Sequence, residues 1–389
     1  MEKICFAVVG CGAAARRHHV PALLRNPRAE VSVLCDVEEE PARLVKDRFN
    51  LRSAIYRDFD QVLSDPTVDV VDICGPSFTH YDYARRSILA GKHVLVEKPP
   101  VYRVREAEDL IALSTRRGVK LGVVLNQRYR EVIERLRQAK DEGLLGEIVK
   151  IQVIHHANLV FGESPWLWDE TKSKYMLYEF GIHFLDLLVD FCGEHEEVIC
   201  VVPTFQDSVR TTSDLQIIIR FRSGQLGLMD LTQDSTRHSA FFTQLNIYGT
   251  AMDAFVRFFP PQVRLSAGVE SPQKYLFSEL ASLARFGWSL ATGKYLLQRN
   301  HSHQRVLDMF VDWCVRGTPY PLTMQAALPT LRLLNALEER IPGYTSQAAD
   351  VAVGERVETK LSRSPGVVGG AVGQAEKEEI PASGREGLL

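Results

Sequence analysis

Three short stretches of this 389-residue chain carry side chains that could do chemistry together. The first is Gly10-Cys11-Gly12-Ala13-Ala14-Ala15, a G-x-G-x-x-A run between an apolar segment and a stretch of helical spacing. Small residues allow a tight turn there, and the backbone N–H groups can approach a pyrophosphate at the start of the following helix. A glycine pattern alone says little. Context strengthens it: Asp36 lies 24 residues after Gly12, at the end of the next apolar run, where a carboxylate would accept from the hydroxyls of an adenosine ribose. Val37, Glu38, Glu39 and Glu40 follow, so the loop supplies no Arg for a 2′-phosphate and adds charge that repels one. The expected dinucleotide is NAD rather than NADP.

The second stretch is Glu97-Lys98-Pro99, directly after the apolar run His93 to Val96. The third is Glu179 with His183, four residues apart in a helical pattern and so expected on one face. A His near its unperturbed pKa of about 6.5 exchanges a proton at neutral pH, and a nearby carboxylate can fix its tautomer or raise its basicity. Trp166 and Trp168 flank Leu167, and their indole faces could stack on a sugar or cyclitol ring; ordinary packing is the alternative.

These residues need a scaffold, and its pattern is legible. Runs at 3–9, 30–35, 68–74, 93–96 and 120–125 read as buried strands, alternating with helical segments at 13–24, 41–49, 81–90 and 106–116. That grammar predicts a parallel sheet of Rossmann type over residues 1–125. Past residue 126 it changes to one helix near 131–142 and long alternating strands at 146–158, 214–221, 225–232 and 243–248. The expectation is an α+β domain over 126–343 with an open, mostly antiparallel sheet, one face covered by a helix at 177–192. Residues 275–297 read as a long helix rich in Leu, Phe, Trp and Ala that need not belong to the core, expected as a packed surface helix with a lid or an oligomer contact as the alternatives, and helices at 302–316 and 324–339 close the domain. From 344 to 389 the composition turns to Gly, Glu, Ser and Val without periodicity, which predicts a disordered tail.

Composition removes several function classes. A net charge of −3 leaves no electrostatic footprint for nucleic acid or an anionic membrane, so small-molecule partners are expected. No apolar run approaches the roughly 20 residues of a spanning helix, and the N-terminus enters a strand pattern without a signal peptide, which points to the cytoplasm. The seven cysteines are scattered, as thiols of a reducing compartment would be. His18, His19, His301 and His303 give no metal-ligand spacing, His155 and His156 point to opposite faces of a strand, and Glu179 with His183 has no evident third ligand, so no metal is expected. There is no Gly-x-Ser-x-Gly for covalent hydrolysis.

The chain resembles the Gfo/Idh/MocA oxidoreductases, a family that includes glucose-fructose oxidoreductase and myo-inositol 2-dehydrogenase. The resemblance rests on Gly10-Cys11-Gly12, Asp36, Thr79-His80, Ala90-Gly91-Lys92-His93-Val94-Leu95-Val96-Glu97-Lys98-Pro99, Asn126-Gln127-Arg128-Tyr129, Gly143 to Ile148 and Gly181 to Asp186. It implies a cofactor held by Gly10, Gly12, Ala13, Ala14, Asp36, Pro76, His80, Glu97 and Lys98, and a cis peptide before Pro99 that aims Lys98 at the nicotinamide. It implies catalysis by Lys98 and His183 with Glu179 as orienter; Arg128, with Trp166 and Trp168 by their ring faces, is expected to hold the substrate. Which of Lys98 and His183 is the base stays open. Two departures stand out: Lys174-Tyr175-Met176-Leu177-Tyr178 replaces a glycine-rich stretch, and Glu179 replaces the usual Asp. The implied activity is hydride transfer between NAD(P) and a secondary alcohol or ketone of a sugar, sugar derivative or cyclitol. The rivals are a silent dinucleotide-binding regulator, or an enzyme recycling bound NAD for net elimination, hydrolysis or epimerisation. A large apolar patch expected on the open sheet face argues for a homodimer or homotetramer through that sheet.

Overall fold

Near-continuous Val, Ile, Leu and Ala runs suit strands buried on both faces, and the N-terminal half builds such a sheet. The computed structural model describes residues 3–157, 166, 175–205, 212–232, 242–268, 271–293 and 301–341. In it β1 (Ile4–Val9), β2 (Ala29–Cys35), β3 (Ala54–Tyr56), β4 (Val70–Ile73), β5 (His93–Val96) and β6 (Leu121–Val123) form a six-stranded parallel sheet, ordered β3-β2-β1-β4-β5-β6. The order reverses between β1 and β4, so a crevice opens outside their carboxyl ends, where sheets of this kind bind ligands. Linking the strands are α1 (Val20–Arg25), α2 (Glu39–Phe49), α3 (Phe59–Ser64), α4 (His80–Leu89) and α5 (Val104–Arg117).

The helix after the glycine turn is not regular. A wide, π-type turn at Ala15–His19 precedes α1. Pro21 accounts for it: proline has no N–H to bond and its ring crowds the carbonyl four residues back, and helices open at such points. The consequence is that His19 turns fully into the protein.

The second sheet has seven strands: β7 (Ile148–His156), β8 (His195–Phe205), β9 (Thr212–Phe221), β10 (Leu226–Thr232), β11 (Phe242–Gly249), β12 (Asp253–Phe258) and β13 (Pro261–Ser266). Their order is β13-β12-β11-β7-β10-β9-β8, antiparallel except for the parallel pair β7 and β10. α6 (Glu131–Asp141) and α7 (Ile182–Cys192) pack on one face. After β13 come α8 (Pro272–Ala291), α9 (His301–Arg316) and α10 (Met324–Glu338). The last two do more than close the second sheet: α9 packs on α1 and on the Asn126–Tyr129 turn, α10 on both α5 and α7, and the Val123 amide donates to the Leu322 carbonyl at 2.8 Å.

The open face of the second sheet departs from expectation. Along β7, buried Ile151, Val153 and His155 alternate with half-exposed Lys150, Gln152 and Ile154. Beside them Gln216 donates to Asp230 at 3.2 Å and Gln244 to Asn246 at 2.8 Å. This face is mixed: half-exposed Ile154, Ile218, Leu226, Leu228 and Phe242 stand among those hydrogen-bonded polar side chains. Large exposed apolar side chains gather on α8 instead. Among the described residues, no helix is long and apolar enough to cross a membrane. The stretch from 344 onward lies outside them.

Candidate active site

β1 ends at Val9 and the chain turns at Gly10 with φ +88°. A Cβ there would lie 2.5 Å from the Cα of Gly75, so two glycines let the loops after β1 and β4 pass back to back. Above Gly12 the surface is open, since a Cβ there would meet nothing within 4 Å. Asp36 is half-buried at the end of β2, its Oδ2 accepting from the Cys11 amide at 2.8 Å and its Oδ1 from the Glu38 amide at 3.1 Å. A carboxylate offers about four acceptor positions, so roughly two remain for ribose hydroxyls. Open backbone at Gly12, Ala13 and Ala14 with spare acceptor capacity at Asp36 fits a dinucleotide. Arg57, hidden by 20 residues of separation, donates from Nε to the Val37 carbonyl at 3.2 Å and brings a guanidinium to the same loop.

Pro76 starts the Ser77–Thr79 turn after β4, its carbonyl accepting from the Thr79 amide at 2.9 Å and hydroxyl at 2.7 Å. His80 is buried, with Nδ1 2.7 Å from the Pro99 carbonyl and Nε2 3.0 Å from the Gly75 carbonyl. It ties two loops at the crevice together rather than presenting its ring to a ligand.

The Lys98–Pro99 peptide is cis. The Lys98 amide donates to Glu97 Oε2 at 3.0 Å, and its ammonium donates to the Glu179 backbone carbonyl at 2.8 Å. Glu179 lies four residues before His183, and the Lys98 charge reaches the His183 imidazole. His183 Nδ1 is buried and has no hydrogen-bond partner among the described residues. Burial first, and then the neighbouring Lys98 charge, hold the His183 pKa well below its ordinary value. The result is a neutral imidazole beside a cation, able to accept a proton.

Glu179 takes a different part from the one its spacing suggests. Its carboxylate accepts from the Ser77 hydroxyl and from the Tyr102 hydroxyl at 3.2 Å, not from His183. Tyr175–Gly181 forms a π-type turn, and in that wider winding a four-residue step no longer aligns side chains on one face. Burial raises the pKa of the Glu179 carboxyl, which favours its neutral form.

Arg128 is spoken for as well. Its guanidinium grips Asp186 at 2.6 and 2.7 Å and reaches Asp190 at 3.0 Å, both on α7. Burial opposes its charge, and these carboxylates more than offset that. The residue locks the turn after β6 to the second domain instead of facing a substrate. Trp166 stands edge-on to Phe78 at 6.2 Å, beside the turn after β4, and Trp168 lies outside the described residues.

A buried charge cluster escaped the reading of the sequence. His19 Nδ1 lies 2.9 Å from Asp72 Oδ2, and its Nε2 lies 2.8 Å from Glu97 Oε1. Burial alone would pull the His19 pKa down, but the Asp72 carboxylate holds it well above its ordinary value. Burial alone would raise the Glu97 carboxyl; the hydrogen bond and charge of His19, with His303 and Lys98 near, bring it well below the usual carboxylate range. The imidazolium therefore clamps the residue that precedes Lys98. One signal was available: Asp72 is an acid inside a fully buried parallel strand, which demands a partner. His303, stacked on His18 at 4.1 Å, comes from α9 and left no such mark. His19, Asp72 and Cys74 bring three donor atoms within 4.8 Å, but the ring nitrogens already face carboxylate oxygens, so the cluster holds protons.

Comparison with known proteins agrees with this architecture. Residues 4–125 match the family described as "Oxidoreductase family, NAD-binding Rossmann fold", and residues 133–254 match the "GFO/IDH/MocA C-terminal domain". The uncharacterized oxidoreductase YhhX of Escherichia coli is 29% identical over 196 residues, 49% of this chain and 54% of that protein. D-apiose dehydrogenase of Paraburkholderia graminis is 25% identical over 239 residues, 61% of this chain and 63% of that protein. The matched stretches thus span between half and two thirds of these relatives. The crystal structure of the WlbA dehydrogenase from Bordetella pertussis, in complex with NADH and UDP-GlcNAcA, superposes with a TM-score of 0.70. That match is at 19% identity and covers 87% of this chain and 97% of that one, a likeness of fold.

Proposed function

This chain belongs to the GFO/IDH/MocA family of oxidoreductases, and we propose that it is a working dehydrogenase that moves hydride between a nicotinamide and a secondary alcohol or ketone of a sugar, sugar derivative or cyclitol. The observation that carries the reading is the Lys98 ammonium bonded to the Glu179 carbonyl beside a neutral His183 with an unpartnered nitrogen. A bound nicotinamide supplies the hydride acceptor or donor. Lys98, with N–H groups left over from its bond to Glu179, donates to the substrate oxygen and stabilises alkoxide character as the C–H bond breaks. His183 accepts the hydroxyl proton, and the low pKa set by burial keeps it ready to do so at neutral pH. Glu97, held by His19, fixes the backbone from which Lys98 projects, and Glu179 contributes its carbonyl while its carboxyl closes a hydroxyl pair with Ser77 and Tyr102. Phe78 and Trp166 offer apolar ring faces at the rim.

NAD is the favoured nucleotide, because Asp36 and the three glutamates after it repel a 2′-phosphate; Arg57 softens that field without removing it. The test is a panel of sugars, sugar acids, cyclitols and nucleotide sugars with NAD and with NADP, followed by the absorbance of the reduced nicotinamide. Stoichiometric reduction supports the dehydrogenase reading. A second reading, net elimination or epimerisation with recycled NAD, is favoured by substrate loss without accumulation of reduced cofactor. Cofactor binding with no substrate conversion would refute both.

A further inference from the structure

One of the chain's departures from its family, the stretch Lys174 to Tyr178, ends in a residue that the reaction does not use. Tyr178 is fully buried within the π-type turn Tyr175–Gly181. A buried phenol needs partners for its hydroxyl, and α10 supplies them. The hydroxyl donates to Glu338 Oε2 at 2.6 Å and accepts from Asn335 Nδ2 at 2.7 Å. Burial first, and then the Glu338 charge, push its pKa up, so it keeps the proton that it donates.

Asn335 and Glu338 are three residues apart on α10 and share one face of it. Each of them holds the same two segments together. One is the turn that carries Glu179, reached through the Tyr178 hydroxyl. The other is the loop from Lys98 to Arg103, between β5 and α5. Asn335 Nδ2 also donates to the Tyr102 carbonyl at 2.8 Å, and its Oδ1 accepts from the Val104 amide at 3.1 Å. Glu338 Oε2 also accepts from Arg103 Nη1 at 3.0 Å, a cation that offsets the burial of this carboxylate. The Tyr102 ring closes the set, standing edge-on to Tyr178 at 5.3 Å with its hydroxyl on the Glu179 carboxylate.

These two segments are the ones that meet in the active site, where the Lys98 ammonium donates to the Glu179 carbonyl at 2.8 Å. A lysine ammonium rides on a flexible four-carbon stem, so its position follows its acceptor. The acceptor here sits in a π-type turn, a rare winding that depends on its surroundings to persist.

We propose that Asn335 and Glu338 are positioning residues for Lys98: by stapling the Tyr178 hydroxyl to residues 102–104 they set where the Glu179 carbonyl stands against the Lys98 loop, and so where the ammonium meets the substrate oxygen. The part played by the ammonium rests on the dehydrogenase reading, whereas the staple itself does not.

The test removes one hydroxyl. Tyr178→Phe keeps the ring and leaves Glu338 paired with Arg103, and Asn335→Ala, at a half-buried position, is a second variant that folds independently of the first. Crystal structures of wild type and both variants should show the Lys98 ammonium displaced on the order of 1 Å, with its bond to the Glu179 carbonyl lost. With a substrate returned by the panel, each variant should lower kcat on the order of 10- to 100-fold, while KM and the Kd for NAD stay within about threefold of wild type. In a Lys98→Ala background neither substitution should lower the residual kcat further, since residues that act as a unit are not additive. Arg332→Ala, on the exposed side of α10, should leave kcat as in wild type. A bond from Lys98 to Glu179 that stays in place in both variants would overturn the proposal. So would an equal loss of kcat with and without Lys98, which is what a purely structural role produces. Turnover that survives Lys98→Ala unchanged would instead sink the catalytic reading, and the crystal structures would still decide the staple.

Discussion

Replacing His19 with leucine removes both N–H groups that the Asp72 and Glu97 carboxylates accept, at 2.9 and 2.8 Å, in a place where the His19 and Asp72 side chains have no exposed surface. Breaking a buried pair by deleting one partner costs about 3–5 kcal/mol, because the charge left behind keeps its desolvation penalty. Two carboxylates are orphaned here, and either can limit the damage by taking up a proton, so we expect a net loss of about 3–5 kcal/mol. The pH dependence has a defined sign. His19 has a folded pKa above its ordinary 6.5, so its contribution is complete below 6.5 and fades as pH rises through the higher folded value. Glu97 has a folded pKa below its ordinary 4.5, so its contribution is complete above 4.5 and fades as pH falls through the lower folded value. The gap between wild type and the His19→Leu variant should therefore be widest between about pH 4.5 and 6.5. Urea unfolding of both proteins across that range is the assay, with nitrogen NMR of the wild-type ring expected to show both nitrogens protonated at neutral pH. A loss under about 1 kcal/mol, or a ring with one bare nitrogen, would refute the reasoning.

Further outcomes follow from the site. Lys98→Ala and His183→Ala should each lower kcat on the order of 10²–10⁴-fold while calorimetry finds cofactor affinity within a few-fold of wild type. The acid limb of kcat/KM should fall below pH 6.5, since His183 is held under its ordinary value; a limb above 6.5 contradicts its assignment as proton acceptor. Glu179→Gln should keep turnover within about tenfold of wild type, because the amide oxygen can still accept from Ser77 and Tyr102; a loss like that of His183→Ala would restore Glu179 as the orienter. Asp36→Ala removes charge-assisted bonds worth about 1.5–3 kcal/mol, so the Kd for NAD should rise roughly 10- to 150-fold while that for NADP rises less.

The parallel sheet was legible because each of its long strands is a buried apolar run set off by turn residues. In the second sheet the clean alternation of β7, β9, β10 and β11 was legible, whereas β8, β12 and β13 passed unread. β8 and β13 are the two edge strands, and β8 breaks its register three times along β9, while β12 alternates over only six residues, too short a run to stand out. The glycine turn, Asp36 and Glu97-Lys98-Pro99 announce themselves by local spacing. Glu179 misled, since a π-type turn is set by tertiary packing and leaves no mark in a four-residue step. Arg128 misled in the same manner: its partners Asp186 and Asp190 lie 58 and 62 residues away, and only folding shows that they consume it. His19 and His303 stayed hidden because burial and a contact across 284 residues, not residue type, give them their part.

The most direct test of hydride transfer beside Lys98 and His183 follows the hydrogen itself. A substrate returned by the panel is prepared with deuterium on its carbinol carbon, incubated with NAD and the enzyme, and the reduced nicotinamide is examined by mass spectrometry. The account predicts one deuterium on the nicotinamide per turnover and a slowed rate for the labelled substrate, with the rate of deuterium transfer lowered on the order of 10²–10⁴-fold in Lys98→Ala. Label released to solvent, or undiminished transfer in Lys98→Ala, would contradict it.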